Sequence, residues 1–395
     1  MTLFAAKTNF LRPRDDGHGN APVTQIELFF DLVFVFAVIQ LSAELRANLT
    51  RIGLLHTLIL FAGVWWVWVY TSWITNWLDP KHQPVRIMLL GLMFLALLLA
   101  CAVPNAFGAR GIAFAGAYVA MQLGRSLFML WAVRRYDTIN YRNIARISIW
   151  LTASGVFWLA GGLYPEPIRT LLWLIALAVD FASPALGFFV PGLGRSLTAE
   201  WRIDTYHIAE RCAGFILIAL GETILVTGEA FYALRWTLAD GSAFLASFIG
   251  IVALWWIYFD HAAERTADAF ANSADPGRVA RAAYTYAHGL LVAAIIAVAA
   301  ADSQVLHAPS HSVDLPAGLL ILGGPMLFLL ANGVFLGLVH PRFPPSHVLG
   351  LVLFAALALA SPFLSLLALA WAACAVLGLV IMSGFMLLRR QSASI

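Results

Sequence analysis

His207-Ile208-Ala209-Glu210-Arg211-Cys212-Ala213-Gly214-Phe215-Ile216-Leu217-Ile218-Ala219-Leu220-Gly221-Glu222-Thr223-Ile224-Leu225-Val226 sets four ionisable side chains into a run otherwise apolar enough to cross a bilayer. A single Arg, Lys or Asp at the centre of a membrane helix costs about 2.5–3.5 kcal/mol, so such a run needs partners, water or protonation. At about 100° per residue His207, Glu210 and Arg211 share a face, and Glu222 returns to it three turns later. The helix carries a polar stripe that must meet other helices or a water-filled cavity.

The rest of the chain agrees with a bilayer setting. Of 395 residues 61% are hydrophobic and only 11% charged, with a mean hydropathy of +0.83, against about 25% charged residues in soluble domains. Cys101, Cys212 and Cys374 lie in apolar runs without paired spacing, which excludes a disulfide framework and a zinc site. The polar first 25 residues lack a charged start followed by an apolar core, so no cleavable signal peptide is expected and the first span directs insertion.

Apolar runs fall near 27–46, 54–77, 86–104, 111–133, 145–163, 168–190, 204–228, 241–260, 281–302, 316–339, 346–361 and 363–388. The fold expected is all-α, a polytopic transmembrane helix bundle of about twelve spans. Ser361-Pro362 alone divides the last two, and a proline there favours a turn. Seventeen Arg and Lys fall on the side of both termini and five on the other, leaving Arg125 and Arg211 inside spans. Both termini are therefore expected in the cytoplasm.

This gives a polar segment 1–25, a first half 26–190, a linker 191–203, a second half 204–388 and a tail 389–395. Trp65-Trp66 and Trp255-Trp256 recur at an offset of 190, and Glu27 and Glu210 at 183, which suggests a six-plus-six parallel repeat. Chance recurrence among 14 tryptophans is the plainer explanation.

Glu27 and Asp31 sit one turn apart in Ile26-Glu27-Leu28-Phe29-Phe30-Asp31, at the depth of Glu210 and Arg211. An arginine fork between helices is the simplest way to tolerate these carboxylates. The cluster reads either as a structural ion-pair lock or as a proton or ion relay, with Arg125 placed to complete it. Asp180 lies near mid-span, and Pro184 removes the donor to its carbonyl, predicting a kink and a free backbone oxygen there.

Asp260 in Asp260-His261-Ala262-Ala263-Glu264-Arg265 repeats the His-x-x-Glu-Arg order at the membrane border, where a solvated cap is the simpler role. His288 in the ninth span is a proton-passing candidate or a bonded core histidine. Metal binding by His207, Glu210, His261 and Glu264 is opposed by an arginine in each motif. No phosphate loop, nucleophile elbow or basic aromatic surface is present, so neither cofactor nor nucleic acid is expected. The expected partners are the lipid bilayer and a small solute or ion.

Glu27-Leu28-Phe29-Phe30-Asp31-Leu32-Val33-Phe34-Val35, His207-Ile208-Ala209-Glu210-Arg211 through Gly221-Glu222, and Trp255-Trp256 with Tyr284 to His288 together resemble the bacterial low-temperature-requirement protein A (LtrA) family. The resemblance implies a multi-pass membrane protein associated with growth in the cold, and brings no accepted substrate or functional residue. Three function classes follow from the polarity. They are an ion- or proton-coupled secondary transporter, which is favoured, a membrane-embedded lipid enzyme, and a sensor or scaffold without turnover.

Overall fold

Twelve helices of the computed structural model are long and apolar enough to cross a membrane. The structure describes residues 9–12, 22–198, 201, 203–259, 263–340 and 342–392, and among these there is no strand, only isolated bridges. Helices dominate because a backbone polar group without a partner in hydrocarbon costs several kcal/mol, and a helix satisfies its own. The spans are α1 (Gln25–Ala47), α2 (Arg51–Trp77), α3 (Gln83–Ala102), α4 (Gly111–Val133), α5 (Thr138–Leu163), α6 (Ile168–Ala185), α7 (Thr205–Tyr232) and α8 (Leu238–Phe259). A short α9 (Ala263–Ala271) precedes the ninth span, in which α10 (Pro276–Val279), a π-helical stretch Ala280–Ala287 and α11 (His288–His307) run on. The chain closes with α12 (Leu315–Val339), α13 (Pro345–Ala360) and α14 (Leu366–Ser392). The protein is an all-helical, multi-pass membrane protein.

The helix ends follow local chemistry. Asp137 and Asp314 accept the Asn140 and Ala317 backbone N–H groups, each at 2.9 Å, capping α5 and α12. Prolines stand in the first turn of α3, α12 and α13, where no intrahelical donor is lost. The Ser361–Phe363 turn separates α13 from α14, as the proline predicts.

The chain clusters into two compact units. One comprises Met1–Ala37, Leu58–Arg211 and Asp275–Arg278, the other Val38–Thr57, Cys212–Ala274 and Val279–Ile395. In the first, α3 to α6 pack each against the next. A Cβ on Gly162 of α5 would lie 3.0 Å from Ile112 Cα and 3.1 Å from Gly111 O, so two backbones meet where only glycine fits. Arg169 bolts this unit together, donating to the carbonyls of Gly161, Tyr164, Ala106 and Gly108 at 2.7–3.1 Å. It serves the orphan acceptors that helix ends leave.

In the second unit α11 packs on α12, α12 on α13, and α14 on both α13 and α8. A Cβ on Gly324 would sit 2.9 Å from Val298 Cγ2, so α12 and α11 also touch closely. Around the π-helical stretch side chains join the backbone bonding: Ala283 O, which accepts the His288 backbone N–H, also lies 2.9 Å from His288 Nδ1, and Tyr284 O accepts from the Cys212 thiol at 3.6 Å.

Two expectations change. The sixth span stops at Ala185 rather than 190, because Gly187 at φ 62° turns the chain away. The ninth span extends from Pro276 to His307, beyond the apolar run at both ends. The tryptophan pairs that suggest a repeat have unlike surroundings, since Trp65 and Trp66 are buried whereas Trp255 and Trp256 are 40% and 37% exposed.

Candidate functional site

The N-terminal turns of α1 and α7 bring five ionisable side chains together within the first unit. Glu27 is the most heavily bonded. Its Oε2 accepts from the Thr24 backbone N–H at 2.9 Å, the Thr24 hydroxyl at 2.8 Å and Arg12 Nη2 at 2.9 Å. The contact with the Thr24 amide is the return half of a capping box, so Glu27 also holds the start of α1. Its Oε1 lies 2.9 Å from His207 Nε2 and 3.5 Å from Arg211 Nη1. Arg12, in the segment read as a polar leader, also donates through Nε to Thr75 O at 2.8 Å, at the end of α2.

His207 is held in one tautomer by its neighbours. The Asn76 amide cannot flip, since its Oδ1 accepts from Asp204 N at 2.9 Å and its Nδ2 donates to Asp204 O at 2.8 Å. The same Nδ2 faces His207 Nδ1 at 3.2 Å, which makes Nδ1 the acceptor. The proton is therefore on Nε2, pointing at Glu27, and the imidazole is neutral. Arg12 Nη2, 3.2 Å from Nε2, is a second donor crowded onto the same carboxylate. Two carboxylates thus face two guanidiniums.

Asp31 differs from Glu27. Its Oδ1 accepts from Arg211 Nη2 and Trp68 Nε1, both at 2.7 Å, while its buried Oδ2 has no hydrogen-bond partner. Arg211 lies 5.8 Å over the Trp68 ring, and its Nε has no hydrogen-bond partner. A saturated ion pair has no spare acceptor or donor, whereas this one keeps both. Glu210 stays outside the cluster. It is exposed and accepts from the Val23 backbone at 3.2 Å, because residues 207 and 211 centre the inward face and 210 lies on its flank.

Arg125 does not complete this cluster either. It donates to Val67 O at 3.2 Å, Thr71 Oγ1 at 3.0 Å and Gln122 Oε1, with the Tyr70 ring 5.4 Å away. Among the described residues it makes no ion pair. Its link to a carboxylate is indirect: Gln122 Nε2 donates to the Tyr118 hydroxyl at 3.1 Å, which donates to Asp180 Oδ2 at 2.6 Å. Every donor in this chain points from guanidinium toward carboxylate, so each bond polarises the next. Trp158 Nε1 adds a bond to Asp180 Oδ2 at 3.0 Å. The free carbonyl expected beside Pro184 is absent, because the Ser183 hydroxyl bonds Asp180 O at 2.8 Å. Pro184 stands at the last turn of α6, where it ends the helix rather than kinking it.

In the second unit Glu222 is fully buried and accepts from Ser42 at 2.9 Å, with Oε2 unpartnered. His288 is bonded on both ring nitrogens, by Ala283 O and by the Tyr258 hydroxyl at 2.8 Å, which is the pattern of a core histidine. Asp260 and His261 lie outside the described residues, as do the side chains of Glu264 and Arg265. Sequence reasoning missed Arg12, Trp68, Asn76 and the Tyr118–Gln122 bridge, whose polar atoms carry no formal charge or sit in a loop. It also missed Asp302, read as the rim of a span that in fact continues to His307.

A family model described as bacterial low temperature requirement A protein (LtrA) matches residues 22–382. The uncharacterised protein RA0937 of Rhizobium meliloti (strain 1021) is 40% identical over 341 residues, covering 86% of this chain and 83% of that protein. No solved structure matches the chain. With motif, span pattern and family model in agreement over nearly the whole length, the chain belongs to the bacterial low temperature requirement A (LtrA) family.

Proposed function

We propose that this protein is an ion- or proton-coupled secondary carrier of the bacterial inner membrane, with both termini in the cytoplasm, in which Asp31 is the exchangeable carboxylate. The observation that carries this reading is the half-open ion pair of Asp31 and Arg211, which retains an unpartnered carboxylate oxygen and an unpartnered guanidinium nitrogen in a buried site. Ionisable groups inside a membrane are expensive and mark ion pathways when they are not fully neutralised. Glu27, bonded from five directions, is the fixed anchor beside it.

In this mechanism Asp31 exchanges Arg211 for a proton or cation, and the released guanidinium accepts the solute or a second carboxylate as the helices rock. The pairs Glu27–His207 and Asp31–Arg211 are each 180 residues apart. Equal offsets mean that the first helices of the two halves run parallel and in register here, which supports a two-repeat organisation. A lipid-modifying enzyme or a scaffold without turnover is the weaker reading.

The test is flux. Purified protein is reconstituted into liposomes carrying a pH-sensitive dye, and proton, sodium and potassium gradients are imposed on wild type, Asp31→Asn and Glu222→Gln. Flux in wild type that is lost in Asp31→Asn is the expected result. Folded protein with no flux under any gradient overturns the carrier reading in favour of lipid chemistry or a scaffold.

A further inference from the structure

The second unit holds a partly open cavity of about 40 Å³ between α8, α11, α12 and α14, bordered by Gly250, Ala301, Asp302, Ile321, Pro325 and Cys374 among other small or aliphatic residues. At roughly 10–15 Å³ for each water-sized occupant, it admits about three.

Its polar chemistry is all oxygen. Asp302 presents a buried Oδ2 without a hydrogen-bond partner, and Ser247 stands near the carboxylate. No Arg, Lys or His forms an ion pair with Asp302 among the described residues. Arg46, the arginine bonded beside it in sequence, is turned to Ser303 Oγ at 2.6 Å. Cys374 is likewise taken, its thiol donating to Ala246 O at 3.2 Å. Pro325 stands inside α12 without an N–H, so the Ile321 carbonyl loses its regular intrahelical donor, and both residues border the cavity. A carboxylate and a released carbonyl in a small cavity form a hard-cation donor set. One buried negative charge neutralises one positive charge, and a divalent ion would leave an uncompensated charge in low dielectric.

We propose that the cavity at Asp302 binds one small monovalent cation, sodium or potassium. It rests on the carrier reading only in making this the coupling ion; the binding itself requires no transport. Asp302 supplies the charge, the Ile321 carbonyl is the second oxygen donor, and the narrow walls disfavour larger cations.

The full chain in lipid nanodiscs tests this without any gradient. Its thermal unfolding is followed in sodium or potassium chloride against N-methylglucamine chloride at constant ionic strength, beside Asp302→Asn and Gly250→Val. A Cβ at Gly250 meets only Cys374 Sγ, at 3.8 Å, so the valine grows into the cavity while sparing the carboxylate. A saturating rise in Tm with sodium or potassium in wild type, lost in both variants, identifies a metal cation. No such rise, together with an infrared carboxyl C=O band that vanishes in Asp302→Asn, shows a neutral carboxylic acid in an empty cavity and overturns the site. Without added cation, Asp302→Asn should melt no lower than wild type, because it removes an unpaired buried charge. Neither signal, or a rise undiminished in the variants, overturns the site. If Gly250→Val does not fold, Gly250→Ala takes its place. Cation binding without liposome flux leaves this site standing and removes the carrier reading, and flux without binding does the reverse.

Discussion

Arg211 Nη2 reaches Asp31 Oδ1 at 2.7 Å inside the first unit, and Trp68 stacks beneath the guanidinium while donating to the same oxygen. One side chain of α2 therefore positions both partners of an ion pair formed between α1 and α7. Removing only one charge leaves the other buried, and Arg211→Met should lower stability by about 3–5 kcal/mol. The double variant Asp31→Asn/Arg211→Met should recover much of that loss. Detergent-titrated unfolding of the four proteins checks it, and additive losses would show that the charges do not act as a pair.

Trp68→Phe keeps the aromatic bed and deletes one donor to Asp31. It should cost about 1–2 kcal/mol through the lost charge-assisted bond, and liposome flux should change more than in Trp65→Phe, whose ring stacks on Trp68 at 4.9 Å. Equal effects of the two substitutions on flux would remove Trp68 from the mechanism.

His207 should show one protonated and one bare ring nitrogen by 15N NMR, with the proton on Nε2. The locked Asn76 amide sets this. Asn76→Asp replaces the donor with an acceptor, so both ring nitrogens should then carry protons. A wild-type imidazole already protonated at Nδ1 would refute the tautomer assigned from the amide.

Tyr118→Phe cuts the bridge between Arg125 and Asp180. The expected loss is about 1–3 kcal/mol, the scale of a buried polar group left unsatisfied. Gln122→Leu cuts the same bridge one bond earlier, so the double variant should lose less than the sum of the two. Unfolding free energies of the cycle decide it.

Gly111→Ala should destabilise the first unit without touching any candidate ion site. The added Cβ would fall 2.6 Å from Arg169 Cζ and displace the guanidinium from the carbonyls it serves. A loss of about 3 kcal/mol is expected, together with unchanged cation-dependent melting at Asp302. A shifted cation response would mean that the two regions are coupled.

The amino-acid sequence determined the helices, their number and most of their ends to within a few residues. Long apolar runs leave the backbone no other way to bond in a bilayer, and Pro, Gly and Asp mark the stops locally. It also exposed the costly groups, Glu27, Asp31, Asp180, Arg211 and Glu222, because charge inside an apolar run is visible one residue at a time. Which charges pair is a different matter. Arg125 lies in the same polar register as Arg211, yet it meets carbonyls and Gln122, and Asp180 finds Tyr118 rather than a cation. Glu210 adjoins Arg211 in sequence and remains outside. Asp302 looked like a span border until α11 continued past it to enclose the carboxylate. Pairing depends on which faces of separate helices meet to within about 3 Å, a distance set by packing at residues such as Gly162 and Gly324. Only the tertiary structure decided that.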